Sequence, residues 1–378
     1  METIDEKIIT IARFPNNRAL LLQSRLQAEG IDCFLSHQNL LQPAISTGVE
    51  IKVRETDTDK ALRIIEQYKQ ERGVQKEKSI KKLKNVRRIL VPVDYSNASK
   101  KAVKFAVEIA DMIKAEVKLL HVFYNPAIDV VPFDTSHAYQ INLSNYLHEI
   151  EQTARKQMAS LVCETRNMAS MSKHKVKVSF SLMNGLAQDE ILSMSDKYKP
   201  GLIVMGSRGM GNQSGGLIGS VTAKIVSKSE IPVIAIPENS KPIPVKQLKN
   251  VLYATDFDNY DQVALSKLLN LLHPFNATLH IVHISVGSKK SWDKMKMDSL
   301  RKFIKEEYEN FPIKSKILVG DNVINGLETY MRDNTIDVIA LTNHSRGILQ
   351  SFFAPSVTKM IMHRISRPLL VFKAKESI

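Results

Sequence analysis

Between residues 204 and 226 the chain reads VMGSRGMGNQSGGLIGSVTAKIV, with six glycines between an apolar run and a helix-like run. Glycine at this density lets backbone N–H groups close around a phosphate. Three phosphate chemistries compete. A Walker A loop needs G-x-x-x-x-G-K-[ST], whose lysine neutralises the outer phosphates; GLIGSV has no lysine there. A dinucleotide fingerprint needs G-x-G-x-x-G after the first strand of its βαβ unit; GMGNQS lacks the third glycine and follows the fourth strand of its half. The third pattern fits: Gly206-x-x-Gly209, nine residues, then Gly219-Ser220. Gly206 ends a strand, Gly209 admits close backbone approach, and Gly219-Ser220 opens a helix whose first N–H groups have no partner within it. Those donors, the positive end of the helix dipole and the Ser220 hydroxyl suit phosphate oxygens.

Other chemistry-bearing residues are fewer. Asp94 ends the strand RRILVPVD and is either a ligand group or a cap for the helix after it, for which Ser96 is also a plausible N-cap. His121 closes the strand EVKLLHVF and reads as a structural histidine. No general base stands near the phosphate loop in the sequence, so no catalytic residue is assigned and fast turnover is not expected. The Met-rich stretch NMASMSKHK lacks the cysteine cluster of a soft-metal site, and no metal ligand is assigned. Cys33 and Cys163 read as buried free thiols.

The elements that must position these residues alternate. From residue 86, strand and helix patterns follow one another as in a doubly wound parallel sheet: strands in RRILVPVD, EVKLLHVF, KVKVSFSLM, GLIVMG and PVIAIP, and a long segment, 124–172, with a helix around 142–165. The order then recurs in NVLYATD, ATLHIVHI, SKILVG, DVIALTN and RPLLVF. Asp94 to His121 and Asp256 to His283 are both 27 residues apart, and SVT at 220–222 and 356–358 stands 12 residues before Pro232 and Pro368. Two α/β domains of one fold are expected, at 86–238 and 247–378. Residues 1–72 read separately as a small β-α-β-β-α unit, with the helix of NRALLLQSRLQAEGI ending at Gly30, and 73–85 as a basic linker within KEKSIKKLKNVRR.

The second copy has lost the loop. LTNHSRGILQSFFAPSVTKMIM keeps only Gly347, puts Pro355 where Gly219 is expected, and brings in Phe352 and Phe353. Proline has no N–H to donate. Measured from Gly347 to Pro355 the segment reads shorter, eight residues against ten from Gly209 to Gly219. Asp256 survives, yet this domain is expected not to hold a phosphate ligand in the manner of the first copy and to serve packing.

G-x-x-G, nine residues, G-S, together with ILVPVD and LLHVF, resembles the ATP-binding subclass of the universal stress protein family over roughly residues 86–238. The resemblance implies an adenine nucleotide alpha hydrolase-like, Rossmann-like fold and a stress-response or signalling protein that binds ATP or another adenine nucleotide. Mg2+ or Mn2+ as its companion is left open by the motif. Carried over by position, Pro92, Val93 and Asp94 lie near adenosine, Val122 offers backbone contacts to adenine, and Met205 and Gly206 lie against ribose. Gly209, Gly219, Ser220 and Val221 hold the phosphates, with Arg208 a further contact. The family's habit of pairing through its last strand implies that PVIAIP and RPLLVF pair inside one chain as a pseudo-dimer, with a homodimer and an unnamed protein partner left open. Residues 1–72 resemble a small prokaryotic signal-transducing domain in the L…L.AEGI passage. The alternatives are a slow ATPase or self-phosphorylating enzyme, with Ser220 a candidate acceptor, and a scaffold that binds no nucleotide. A nucleotidyl-transferring enzyme is disfavoured because VPVDYSNASKKAV has no histidine.

Composition narrows the classes. With 53 Lys and Arg against 39 Asp and Glu, the formal charge is +14. Few aromatics interleave with the lysines, which argues against a nucleic-acid binder and for a solvated basic surface. No apolar stretch is long enough to span a bilayer, and METIDEKIITIARF does not read as a signal segment; a cytoplasmic protein is expected.

Overall fold

Short runs rich in Val, Ile and Leu that alternate with amphipathic helices are buried on both faces once they pair. The computed structural model describes residues 8–14, 19, 22–23, 25–27, 29–36, 49–65, 67, 87–124, 137–209, 219–240, 244–257, 261–287, 291–308, 311–343 and 367–373. The chain divides into two compact units, Met1–Lys82 and Leu83–Ile378. In the first, β1 (Ile8–Phe14), β2 (Cys33–Ser36) and β3 (Val49–Arg54) form an antiparallel sheet of order β1-β3-β2. Helical residues lie between β1 and β2 and again from residue 58. The helix before β2 ends as the glycine suggests: Gly30 has φ 76°, its N–H donates to Gln27 O, and Ile31 N–H donates to Leu26 O, a Schellman ending. Leu22, Leu26, Ile31, Ile51 and Val53 form this unit's core. The basic linker expected at 73–85 lies outside the described residues.

The second unit runs β4 (Arg88–Pro92), α1 (Asn97–Ile113), β5 (Glu116–Phe123), α2 (His137–Ser170), β6 (Val178–Asn184), α3 (Ala187–Tyr198), β7 (Leu202–Gly206), α4 (Ser220–Lys228) and β8 (Val233–Ile236). The same order returns as β9 (Asn250–Ala254), α5 (Asp261–Leu272), β10 (Thr278–Val286), α6 (Ser291–Glu307), β11 (Ile313–Gly320), α7 (Val323–Asp333), β12 (Val338–Asn343) and β13 (Leu369–Lys373). The helix expected around 142–165 extends over His137–Ser170 because Ala154, Met158, Leu161, Val162, Thr165 and Ala169 keep a buried stripe at helical spacing. Cys163 falls beside that stripe and is exposed, which corrects the expectation of two buried thiols; Cys33 is buried.

All these strands form one ten-stranded sheet of order β11-β10-β9-β12-β13-β8-β7-β4-β5-β6. Neighbours within each half are parallel, and the two halves meet antiparallel at β8 and β13. There Val233 faces Val371, Ile234 faces Leu370 and Ala235 faces Leu369. Since Ile234 and Leu370 are equivalent residues of the two repeats, the seam is an isologous contact made within one chain. It also covers two apolar edges that would otherwise be open to pairing with other chains. Two apolar layers, one on each face, each cross both repeats: one includes Val91, Phe105, Tyr253 and Phe372, the other Leu90, Ile203, Leu252 and Val371. Among the described residues no helix is long and apolar enough to cross a membrane.

Candidate functional site

β4 and β7 are neighbours, and the helices that leave them pack on opposite faces, α1 in one apolar layer and α4 in the other. A crevice must open beyond their carboxyl ends, at the point where the strand order reverses. A cavity of about 520 Å³ lies there. Pro92, Val93 and Asp94 reach it from β4, Val122 from β5, Met205, Gly206, Arg208 and Gly209 from β7 and the turn after it, and Gly219, Ser220 and Val221 from the start of α4. Every site residue singled out in the sequence therefore lines one cavity. Residues 210–218, between the two ends of the loop, lie outside the described residues.

The three glycines answer three different needs. A Cβ on Gly206 would stand 2.9 Å from the backbone carbon of Ala98 and the Ser99 nitrogen, so β7 and α1 touch there only because it is absent. A Cβ on Gly209 would run into the Asp94 carboxylate. Among the described residues a Cβ on Gly219 would meet nothing closer than 3.6 Å, and its φ of −64° and ψ of 149° suit any residue. Neither packing against the described residues nor backbone conformation accounts for glycine at 219. Its N–H donates to Ser207 O at 2.8 Å, and among the described residues no side chain caps α4. The first N–H groups of α4 thus line the cavity without a side-chain cap.

Asp94 does not cap α1. Ser96 does, accepting from Ser99 N–H at 3.2 Å, and Ser96 donates its hydroxyl to Asp94 Oδ1 at 2.6 Å. Tyr95 turns the chain with φ 64° and lays its ring 4.5 Å from that of His121. His121 donates from Nδ1 to the Val93 carbonyl at 2.8 Å, joining the ends of β4 and β5. Burial pushes its pKa below the ordinary value, against the smaller opposing pull of the Val93 carbonyl and Asp94. A neutral imidazole tied to a carbonyl is structural, as its sequence context suggests.

Ser99, Leu120, Ala187, Ile191 and Thr222 also line the cavity and were not singled out. Thr222 donates to the Gly206 carbonyl at 2.9 Å, pinning α4 to β7. Ala187 and Ile191 come from α3, which carries no phosphate motif; only the rule that ligands sit beyond strand ends points to them. Leu120, Val122 and Ile191 make an apolar wall, while α4, Ser220 and Arg208 supply donors and positive charge. The arrangement suits a ligand with a flat apolar part and an anionic part. Among the described residues no group of three or more His, Cys, Asp or Glu is placed to hold a metal ion.

The family model described as "Universal stress protein family" matches residues 85–237 and again 247–373. The chain belongs to the universal stress protein family. Universal stress protein MJ0531 of Methanocaldococcus jannaschii is 28% identical over 158 residues, 41% of this chain and 84% of that protein. Universal stress protein Slr1230 of Synechocystis is 22% identical over 304 residues, 76% of this chain and 100% of its own. Among solved structures, a universal stress protein from Archaeoglobus fulgidus is 19% identical, with a TM-score of 0.59 across 78% of this chain and 98% of that one. These relatives establish the tandem α/β fold.

The two universal stress repeats align residue by residue through their strand pairing. Ile89 pairs with Leu202 as Val251 pairs with Val338, and Gly206 pairs with Ile236 as Thr342 pairs with Phe372. Thr342 therefore stands in the place of Gly206. Gly206 to Pro232 and Thr342 to Pro368 are both 26 residues, so the second loop is not shortened; the Gly347 alignment was at fault, and Gly347 corresponds to Gly211. Pro355 keeps its match to Gly219. Residues 344–366 lie outside the described ones.

The hinge geometry is repeated: Phe257 has φ 64° and stacks 4.2 Å from His283, which donates from Nδ1 to Thr255 O at 2.8 Å. What differs is the filling. Tyr253, Thr255, Asp261 and Thr342 stand where the first repeat has Val91, Val93, Ser99 and Gly206. Tyr253 donates to Asp261 Oδ1 at 2.6 Å and lies 2.6 Å from Thr342 Oγ1, and Thr255 donates to Asp261 Oδ2. Burial, reinforced by Asp261, holds the Tyr253 pKa well above the ordinary value.

Proposed function

We propose that the first repeat binds one adenine nucleotide, ATP foremost, and that the second repeat is its nucleotide-free partner within the chain. In this reading Gly209, Ser220 and Val221 hold the phosphates through backbone N–H groups and the Ser220 hydroxyl, Gly219, whose own N–H goes to Ser207 O, leaves room for them to approach, and Arg208 adds charge. Pro92, Val93, Asp94 and Val122 receive the adenosine end, with Met205 and Gly206 at the ribose. The observation that carries it is Gly219: a glycine that neither its backbone nor any described neighbour accounts for, at a helix start that no described side chain caps, facing a cavity. Space and donors coincide where an anion is stabilised by a helix N-terminus.

The second repeat is proposed to be silent because Thr342, in the place of Gly206, is tied into a buried network with Tyr253 and Asp261 and because Pro355 has no N–H to offer. No fast hydrolysis is proposed, since the loop lacks the lysine of P-loop hydrolases. The role is stress response or signalling in the cytoplasm: a nucleotide that binds one conformation better shifts partner binding accordingly.

Calorimetric titration of the full chain, freed of copurified nucleotide, with ATP, ADP, AMP and cAMP tests this. Saturable binding at about one site per chain is expected. No binding by any of the four would make the protein a scaffold instead.

A further inference from the structure

The opposite ends of the same strands carry a second concavity. Its volume is about 660 Å³, and it is lined from the amino ends of β4, β5, β6 and β7. Arg88 opens β4 and Pro92 closes it, so the two cavities are separated by at least about 13 Å of strand. Six cations line the groove: Arg87, Arg88, Lys114, Lys175, Lys177 and Lys199. All but Arg88 are exposed. The one carboxylate in the lining, Glu116, accepts from Tyr198 Oη at 3.1 Å.

A plain account would have these lysines offset helix C-termini, since Lys114 and Lys199 are the C-caps of α1 and α3. The magnitudes do not match. Two helix ends present about −0.5 each, against six full charges. The fold does not require the cations either. By strand register the matching positions of the second repeat are Lys249, Asn250, Asn276, Asn310, Pro312 and Thr335, a single cation. Moreover Lys114, Lys175 and Lys199 all have left-handed φ, 57°, 49° and 49°, where glycine or asparagine sits with less strain. Three strained positions around one groove all carry lysine.

We propose that this groove is a second anion site, for a compact anion bearing several phosphates in a row. The clustered charge favours several phosphates over one. Among the described residues the lining has no Phe, Tyr or Trp ring on which a nucleic-acid base would stack, and its one imidazole, His174, is bonded to Asp111 Oδ1 at 3.1 Å. The phosphate chain is either free or carried by a nucleotide.

The test uses the full chain carrying Gly219→Val, which removes the glycine-loop site, with and without Lys114→Asn, Lys175→Asn and Lys199→Asn. Asparagine tolerates the left-handed conformation, so the triple variant is expected to melt no lower than its parent. Inorganic tripolyphosphate is expected to bind the parent saturably and the triple variant at least tenfold more weakly. ATP bound with the same lysine dependence assigns a nucleotide-borne chain; tripolyphosphate bound so alone assigns a free one. Equal affinity in parent and triple variant overturns the site. Duplex DNA bound more tightly than tripolyphosphate, with the same lysine dependence, overturns it in favour of a nucleic-acid surface.

Discussion

Gly206 and Thr342 hold the same place in two copies of one fold, and the space beside them has opposite fates. In the first repeat Ala98 and Ser99 of α1 stand against the glycine of β7, and a cavity of about 520 Å³ stays open beyond the strand ends. In the second, Tyr253, Thr255 and Asp261 close a buried hydrogen-bond network on Thr342. Asp261 is 1% exposed, a burial that stays favourable because hydroxyl donors answer its carboxylate. The same doubly wound frame thus carries a glycine beside an open cavity in one repeat and a threonine in a buried polar network at the equivalent position of the other. The hinge residues around His121 and His283 are indifferent to the choice, and the seam between β8 and β13 treats both halves alike.

Importing the second repeat's residue into the first should break the contrast most. Gly206→Thr forces a branched side chain into the Ala98 and Ser99 backbone; overpacking of this kind costs roughly 3 kcal/mol, visible as a lower urea midpoint, and nucleotide binding should vanish with it. Tyr253→Phe sharpens the contrast from the other side. It removes a donor from Asp261 and a partner from Thr342, at a cost of about 1–2 kcal/mol, and should leave nucleotide affinity in the first repeat unchanged in a parallel titration.

A smaller effect distinguishes the repeats by pH. His280 is buried, bonded to Tyr330 Oη at 2.9 Å and Asn250 Oδ1 at 3.1 Å, where the first repeat has Lys118. Burial first, and Lys314 second, hold its pKa below the ordinary 6.5. The folded state therefore keeps it neutral, and the unfolded chain takes the proton first. Stability from this site is whole above about pH 6.5 and is lost as the pH falls toward the lower folded value. His280→Gln should flatten the drop in urea midpoint between pH 7.5 and 5.5; an unchanged drop would place the acid sensitivity elsewhere, with His121 the next candidate.

Much of this was legible in sequence because it is local or periodic. The Ser96 cap, the Gly30 helix ending, the repeat intervals and the glycines that meet at the cavity each follow from spacing along the chain. The equivalence of Gly206 and Thr342 did not, because it rests on which strand residues pair, and the lone Gly347 drew the second loop out of register. The Tyr253–Asp261–Thr342 network was missed for the same reason, since its members come from three elements 8 to 89 residues apart. Ala187 and Ile191 carry no motif at all and enter the cavity only through the placement of α3. Cys163 was misjudged by residue type, when its position beside the α2 stripe decided its exposure.

The most direct measurement is calorimetric titration of ATP into wild type and Gly219→Val side by side. The added Cβ comes no nearer than 3.6 Å to any described residue, so stability should stay within about 0.5 kcal/mol. Binding at one site per chain in wild type and none in the variant is the predicted result. Equal binding in both proteins would contradict the assignment of the phosphate site to Gly219 and the start of α4.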